Sequence, residues 1–129
     1  MRSTRKEIEQ YLMDLASEGQ TLTSRFVFPE EFVGFQGHFP GKKILPGVCQ
    51  IQCALTMVEK AYKKNVILKQ ITLAKYLAPV SPGEEVNVVC SILPEHDGQL
   101  MVKAIISKNN TKISELKLQV RFAEEGSDC

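Results

Sequence analysis

The chain has 129 residues, of which 43% are hydrophobic and 24% charged, as expected for one soluble globular domain. Its formal net charge of +1 gives no overall field that would favour nucleic acid or an anionic membrane surface. No run of about 18 apolar residues is present, and the first segment, MRSTRKEIEQYLMDLASEG, has charges where a signal peptide needs an apolar core. We therefore expect one cytoplasmic domain over residues 1–129, with no membrane segment.

Residues 4–18 are predicted to form an amphipathic N-terminal helix. Thr4 and Glu7 have the spacing of a capping box, and Gly19 is a plausible C-terminal stop. The apolar side chains recur at helical spacing and form one stripe: Ile8, Tyr11, Leu12 and Leu15. The next segment, TLTSRFVFP, is predicted to be a strand that closes at Pro29.

A second helix is predicted from Val48 to about Lys63. Its apolar residues fall near one face: Val48, Ile51, Leu55, Val58 and Tyr62. Few charges precede Glu59, which indicates that the N-terminal part of this helix is buried on most sides.

The remainder of the chain is rich in predicted strands. They are VILKQITLAKYLAPV (one strand or two), EEVNVVCSIL, QLMVKAIIS and KISELKLQVRF, separated by turns at EHDG and KNN, before a polar tail at 124–129. This order of elements predicts an α+β fold in which an antiparallel sheet curls around the long helix.

The four cysteines do not suggest a metal site. Cys49 and Cys53 lie four residues apart on the predicted helix, but neither of the two histidines, His38 and His96, forms a second pair of ligands with a neighbour. We interpret the helical cysteines as free buried thiols.

A loop rich in glycine and proline, GHFPGKKILPG at residues 37–47, precedes the long helix and presents His38. Pro46 and Gly47 set the helix start, where backbone N–H groups without acceptors can hold an oxygen that gains negative charge. A neutral imidazole at His38 can accept a proton beside that oxygen. These parts suit abstraction of a proton α to a thioester, or thioester binding. The alternative is a tight loop in which His38 caps a neighbouring backbone group.

The same loop resembles the motif of the β-hydroxyacyl-acyl carrier protein dehydratases, hot-dog-fold proteins of fatty acid synthesis and related pathways. Their pattern is a His-Phe-Pro segment and then a Pro-Gly pair that opens the central helix, matched here by HFP at 38–40 and LPGV at 45–48. A second motif, a strand ending in Pro-Val-x-Pro-Gly-acid, is matched by AKYLAPVSPGEEV at 74–86. The resemblance covers about residues 21–123.

The resemblance implies a hot-dog fold, a long central helix wrapped by a curved antiparallel sheet, with an extra N-terminal helix. It also implies a homodimer, or a trimer of such dimers, in which each site takes the histidine from one subunit and an acid on the central helix from the other. By the same resemblance, His38 removes the α-proton and the amide of Gly47 holds the thioester oxygen. The acyl group, carried on the phosphopantetheine of acyl carrier protein or on coenzyme A, enters between the subunits, and no cofactor or metal is implied.

Further residues of the loop are candidates for substrate binding. Three phenylalanines flank the site, Phe32, Phe35 and Phe39; some of them are expected to belong to the core and one to gate the acyl tunnel. Pro46 and Val48 flank the Gly47 amide at the helix start. Lys42 and Lys43 extend the loop outward. They are either a solvated pair of charges or a positive patch that attracts an acidic carrier protein or the pantetheine phosphate.

One position departs from the family pattern. The family acid lies fourteen positions after the histidine, and that position here is Gln52. A carboxamide cannot protonate a leaving hydroxyl as a carboxylic acid does, although it can hydrogen-bond a hydroxyl or a water.

Three functions therefore compete. The first is a dehydratase with an altered acid or with a water held by Gln52. The second is a hot-dog thioesterase in which Gln52 or Thr56 orients a hydrolytic water. The third is a non-catalytic binder of acyl thioesters or carrier protein, or an inactive partner in a hetero-oligomer.

Overall fold

The computed structural model describes residues 3–36 and 43–123. Its helices are α1 (Thr4–Gln10) and α2 (Gly47–Tyr62), and short 3₁₀ turns lie at Val33–Phe35 and His96–Gly98. The strands are β1 (Leu12–Glu18), β2 (Thr21–Val27), β3 (Val66–Tyr76), β4 (Glu85–Pro94), β5 (Gln99–Lys108) and β6 (Thr111–Phe122).

The strands form one antiparallel sheet in the order β1-β2-β4-β5-β6-β3. Helix α2 contacts both outermost strands, β1 and β3, as well as β2 and β4. Since one straight helix touches both edges of the sheet, the sheet must curve around it. The predicted α+β hot-dog architecture is confirmed. No helix within the described residues is long and apolar enough to cross a membrane.

The predicted extent of the N-terminal helix is wrong beyond Gln10. Helix α1 stops there, and the residues predicted as its second half form β1, which pairs with β2. Leu12 and Leu15 fit a helical stripe, but tertiary pairing with β2 outweighs that weak local preference. Ser3 rather than Thr4 caps the helix, and Gly19 lies in the β1–β2 turn with a φ of 61°.

The buried face of α2 matches the predicted one only in part, since Ile51 and Val58 are buried as expected. Five buried side chains on it are Cys49, Cys53, Ala54, Met57 and Val58. By contrast, Val48 is 72% exposed and Tyr62 is 39% exposed. Small cysteine and alanine side chains let the helix approach the sheet closely, which leaves the Val48 side of the helix open in the protomer.

The β-rich half follows the prediction. The segment that allowed one strand or two is the single strand β3, with irregular pairing to β6 at two points. The KNN turn joins β5 to β6 through Asn109 and Asn110, both with positive φ, as a tight hairpin requires. Leu116, Leu118 and Val120 of β6 are fully buried in the core.

Helix α1 also braces the segment that leads to the histidine loop. The buried carboxylate of Glu7 accepts a hydrogen bond from the amide of Val33 at 3.2 Å. The rings of Phe28 and Phe32 pack against Tyr11, with centroid separations of 5.7 and 6.0 Å. These contacts hold the 3₁₀ turn against the body of the domain.

Candidate functional site

The start of α2 has the backbone geometry that the sequence predicted. Pro46 is the N-cap residue, with a φ of −63° and a ψ of 150°, and its carbonyl accepts from the amides of Cys49 and Gln50 at 3.0 and 3.2 Å. No side chain of the described residues caps this end. The amides of Gly47 and Val48 lie in the first turn, where a helix has no acceptors of its own to offer. Neither amide donates to an acceptor within the described residues, so both are candidates to bind an oxygen of a ligand.

The side chain of Tyr76, at the end of β3, lies so close to position 47 that only glycine fits there. A Cβ atom placed on Gly47 would lie 2.5 Å from Cζ and 2.6 Å from the hydroxyl oxygen of Tyr76. The phenol ring therefore covers the helix start. Partial burial raises the pKa of the Tyr76 hydroxyl above its ordinary value of 10.0, so this group stays protonated and can donate a hydrogen bond.

A largely apolar cavity of about 400 Å³ opens at the same place. Residues from the loop, the helix and β3 line it: Ile44, Pro46, Gly47, Gln50, Tyr76 and Leu77. An apolar cleft with a few converging polar groups is the usual form of a small-molecule site. It combines hydrogen-bond donors at the helix start with room for an apolar chain.

Gln50 is the buried polar side chain of this cavity and is only 3% exposed. Its Oε1 accepts from the hydroxyl of Ser114, on β6, at 2.6 Å, and its Nε2 approaches the carbonyl of Leu45 at 3.5 Å. The Leu45 amide in turn donates to the carbonyl of Val80 at 2.8 Å. Gln50 thus links the sheet to the segment that precedes the helix.

Gln52 lies on a different side of α2 and is half-buried. Its Nε2 donates to the hydroxyl of Thr56, one turn on, at 3.0 Å. The sequence named both residues as groups that can orient a water, and the structure brings them together.

The nearest carboxylate further along α2 is engaged elsewhere. Glu59 accepts from Arg5 at 2.6 Å and from the amide of Val66 at 2.8 Å. It therefore fastens the C-terminal half of α2 to α1 and to the start of β3. Both oxygens of this carboxylate are therefore engaged in structural contacts.

The other predicted site residues are only partly accounted for. His38, Phe39 and Lys42 lie outside the described residues. Phe35 is 2% exposed and packs edge-on against Phe32, so in this protomer its ring belongs to the core. Lys43 is half-buried beside the cavity segment.

The described cysteines are buried free thiols, as predicted. Burial raises the pKa of Cys49 to about 11 and that of Cys90 to about 12, and it raises the pKa of Cys53 well above the ordinary value. Thiols with such pKa values are protonated near neutral pH and are poor nucleophiles. They serve packing rather than covalent chemistry.

Two residues of this site were not singled out from the sequence, Gln50 and Tyr76. Tyr76 lies within the second matched motif, but only the fold brings it onto Gly47. Gln50 had a usable signal, because a polar residue in the apolar first turn of a buried helix must find a partner.

Comparison with known proteins identifies the family of the chain. The family model described as ApeI dehydratase, of the ApeI-like family, matches residues 14–120. The enzyme named 3-hydroxyacyl-(acyl-carrier-protein) dehydratase FabZ from Ehrlichia chaffeensis is 26% identical over 107 residues, which cover 79% of this chain and 73% of that protein. The enzyme of the same name from Clostridium acetobutylicum is 31% identical over 91 residues, which cover 65% of this chain and 64% of the relative. The chain thus spans about two thirds of the length of these relatives.

Solved structures share the fold. The dehydratase heterocomplex ApeI:P from Xenorhabdus doucetiae matches with a TM-score of 0.70 at 19% identity, covering 85% of this chain and 96% of that one. Cj0977, a sigma28-regulated virulence protein of Campylobacter jejuni, matches with a TM-score of 0.69 at 14% identity, covering 95% and 98%. Since the family model spans most of the sheet and all of α2, the chain belongs to the ApeI-like dehydratases.

Proposed function

We propose that the protein acts as a dehydratase on 3-hydroxyacyl thioesters carried by acyl carrier protein, in fatty acid synthesis or a related pathway. The observation that carries this proposal is the uncapped start of α2, at Gly47, facing an apolar cavity of about 400 Å³. A thioester oxygen fits the amide groups, and an acyl chain fits the apolar wall. A carrier-linked substrate is supported by the similarity to the FabZ enzymes, which are named for their action on acyl-carrier-protein substrates.

The proposed reaction removes water across the α and β carbons. His38 takes the α-proton, and the thioester oxygen gains negative charge, which the amides of Gly47 and Val48 stabilise. The bond from the β-carbon to the hydroxyl oxygen then breaks, and that hydroxyl leaves as water after it receives a proton. Gln52 cannot supply this proton itself, so its role is to hold a water that passes it on: the water donates a proton to the leaving hydroxyl and receives in return the proton that His38 removed, which restores the neutral imidazole.

We also propose that the site forms between two subunits, with His38 and Gln52 from different chains. Strand β3 is an outer strand of the sheet and carries two exposed isoleucines, Ile67 and Ile71. A long apolar edge of this kind favours pairing with a second copy. The opposite edge, β1, has a bulge between Met13 and Ala16 that disfavours such pairing.

Position 52 supports a second candidate, a subunit that works with a different chain. If each site takes its acid from the other subunit, a partner chain with a carboxylate at that position would complete the site that contains His38. ApeI:P is a heterocomplex, which is a precedent for such an assembly in a structural neighbour. In this case the protein alone would bind acyl thioesters with little turnover.

The test is a parallel assay of water loss and of thiol release on 3-hydroxyacyl thioesters of increasing chain length. Water loss without thiol release supports the dehydratase, and the reverse supports a thioesterase. Binding without either reaction supports the subunit or binding role. A His38→Ala variant should lose turnover by about 100-fold or more while it stays folded, since a general base contributes roughly 10²–10⁴ in rate. Full activity of this variant would contradict the proposed mechanism.

A further inference from the structure

We propose that Tyr76 is a catalytic residue of this site, whose hydroxyl donates a hydrogen bond to the thioester oxygen held at the start of α2. The inference rests on the proposed dehydratase function and adds a side-chain donor to the backbone donors. Its basis is the place of the phenol, which lies against Gly47 and forms part of the cavity wall.

The geometry favours a donor role over packing alone. A Cβ atom on Gly47 would lie as close to the hydroxyl oxygen as to the ring, at 2.6 and 2.5 Å, so the polar end of Tyr76 is at the helix start. The Tyr76 side chain lies at the end of an edge strand and remains 46% exposed. Its hydroxyl is thus near the start of α2, and Tyr76 also forms part of the cavity wall.

The chemistry also fits. Removal of the α-proton gives the thioester oxygen an enolate-like charge, and converging donors at that oxygen stabilise the transition state more than the ground state. Tyr76 keeps its proton throughout, because it only donates a hydrogen bond. Its raised pKa keeps the phenolate fraction small over the pH range of the reaction.

The test compares Tyr76→Phe with Tyr62→Phe. The first variant keeps the ring against Gly47 and removes only the hydroxyl. The second makes the same change at the other end of α2, where the ring packs against Phe122. We expect Tyr76→Phe to lower kcat by about 10- to 100-fold with KM changed less than about threefold, and Tyr62→Phe to match wild type, since an oxyanion donor acts mainly in the transition state. If Tyr76→Phe and wild type have equal kcat values, the role of Tyr76 is wrong, whereas the proposed dehydratase function still stands.

A second measurement does not depend on turnover. Infrared spectra of bound crotonyl-pantetheine labelled with ¹³C at the thioester carbonyl report hydrogen bonding to that oxygen. Loss of the Tyr76 hydroxyl should raise the carbonyl stretching frequency, and the Tyr62→Phe spectrum should equal that of wild type. An unchanged frequency in Tyr76→Phe would contradict the donor role even in an inactive protein. If wild type neither turns over nor binds any acyl thioester, the proposed function fails and the role of Tyr76 fails with it.

Discussion

At the scale of single residues, the proposed mechanism depends most on position 52. The side chain there is a carboxamide, and one of its N–H groups donates to the hydroxyl of Thr56. An acceptor can hold a water or a hydroxyl in place but cannot protonate a leaving group. The nearest carboxylate along the helix, Glu59, is fastened to Arg5 and Val66.

Gln52→Glu should therefore restore the missing acid. The change alters the volume little, and a carboxyl group in a low-dielectric tunnel has its pKa raised, so it can be protonated near neutral pH. We expect dehydratase activity to rise by about tenfold or more, within the range of a general-acid contribution. The measurement is the rate of water loss from 3-hydroxyacyl thioesters.

Gln20→Glu, in the exposed β1–β2 turn, adds the same charge away from the site and serves as control. If wild type and Gln52→Glu are equally active, a water or another group already supplies the proton. Inactivity of both, with acyl-pantetheine still bound, would favour the binding or partner-subunit role.

Gln50 is expected to hold the helix start in place. Gln50→Leu leaves the buried hydroxyl of Ser114 without its acceptor and removes the contact with the Leu45 carbonyl. Burying an unsatisfied polar group costs roughly 1–3 kcal/mol, so the free energy of unfolding should fall by about that amount. Urea denaturation measures it.

Ser114→Ala in the Gln50→Leu background should recover part of the loss, because both polar partners are then gone. Ser24→Ala is the matched control, since Ser24 is a buried strand serine whose hydroxyl contacts the sulfur of Met57 instead. Strictly additive effects of Gln50→Leu and Ser114→Ala would argue against the link between α2 and β6.

At the scale of elements, helix α2 carries cysteine thiols that are buried and therefore unreactive. Its thiols face the sheet, and burial raises the pKa of Cys49 from 9.0 to about 11. The folded state therefore holds this proton more tightly than the unfolded state does. Below the unfolded pKa of 9.0 the thiol is protonated in both states, and its contribution to the free energy of unfolding is complete. This contribution is lost as the pH rises through the folded pKa of about 11.

The free energy of unfolding should consequently decline between about pH 9 and about pH 11, and Cys49→Ala should make the decline shallower. Comparison of the two slopes is needed because lysine and tyrosine side chains titrate in the same range. Urea titrations at several pH values measure both slopes. Parallel curves for wild type and Cys49→Ala would show that burial of this thiol does not affect its ionisation.

At the scale of the whole molecule, the two edges of the sheet differ in the partners they suit. The β1 edge has a bulge near Asp14, whose carboxylate pairs with Arg25 on β2. The β3 edge is longer and has exposed isoleucines, Ile67 and Ile71, which are 40% and 46% exposed. An apolar edge strand is the natural place for a second copy to add.

Ile71→Lys should weaken this association. A symmetric interface would bury the new charge twice, so we expect the dimer dissociation constant to rise by about 100-fold or more. Val89→Lys is the control, because Val89 is similarly exposed, at 38%, but lies on β4 within the sheet. Sedimentation velocity at several concentrations measures both variants. A wild-type monomer at micromolar concentration would contradict the dimer and the shared site together.

The sequence alone predicted most of the secondary structure and the start of α2. Strict alternation in β6 and the Pro46-Gly47 start of α2 are local signals, because side-chain period and backbone restriction act over a few residues. The same signals failed at residues 12–18, which suit a helical stripe as well as an edge strand. Only the available partner, β2, decided in favour of the strand.

Tertiary structure alone decided which side chains meet. Tyr76 and Gly47 are far apart in sequence, and Gln50 and Ser114 belong to different elements, so no local pattern could pair them. The buried face of α2 was likewise set by where the curved sheet lies, which exposed Val48 and covered Cys49. Spacing along a chain predicts elements, whereas contacts at a site depend on the packing of elements that are remote in sequence.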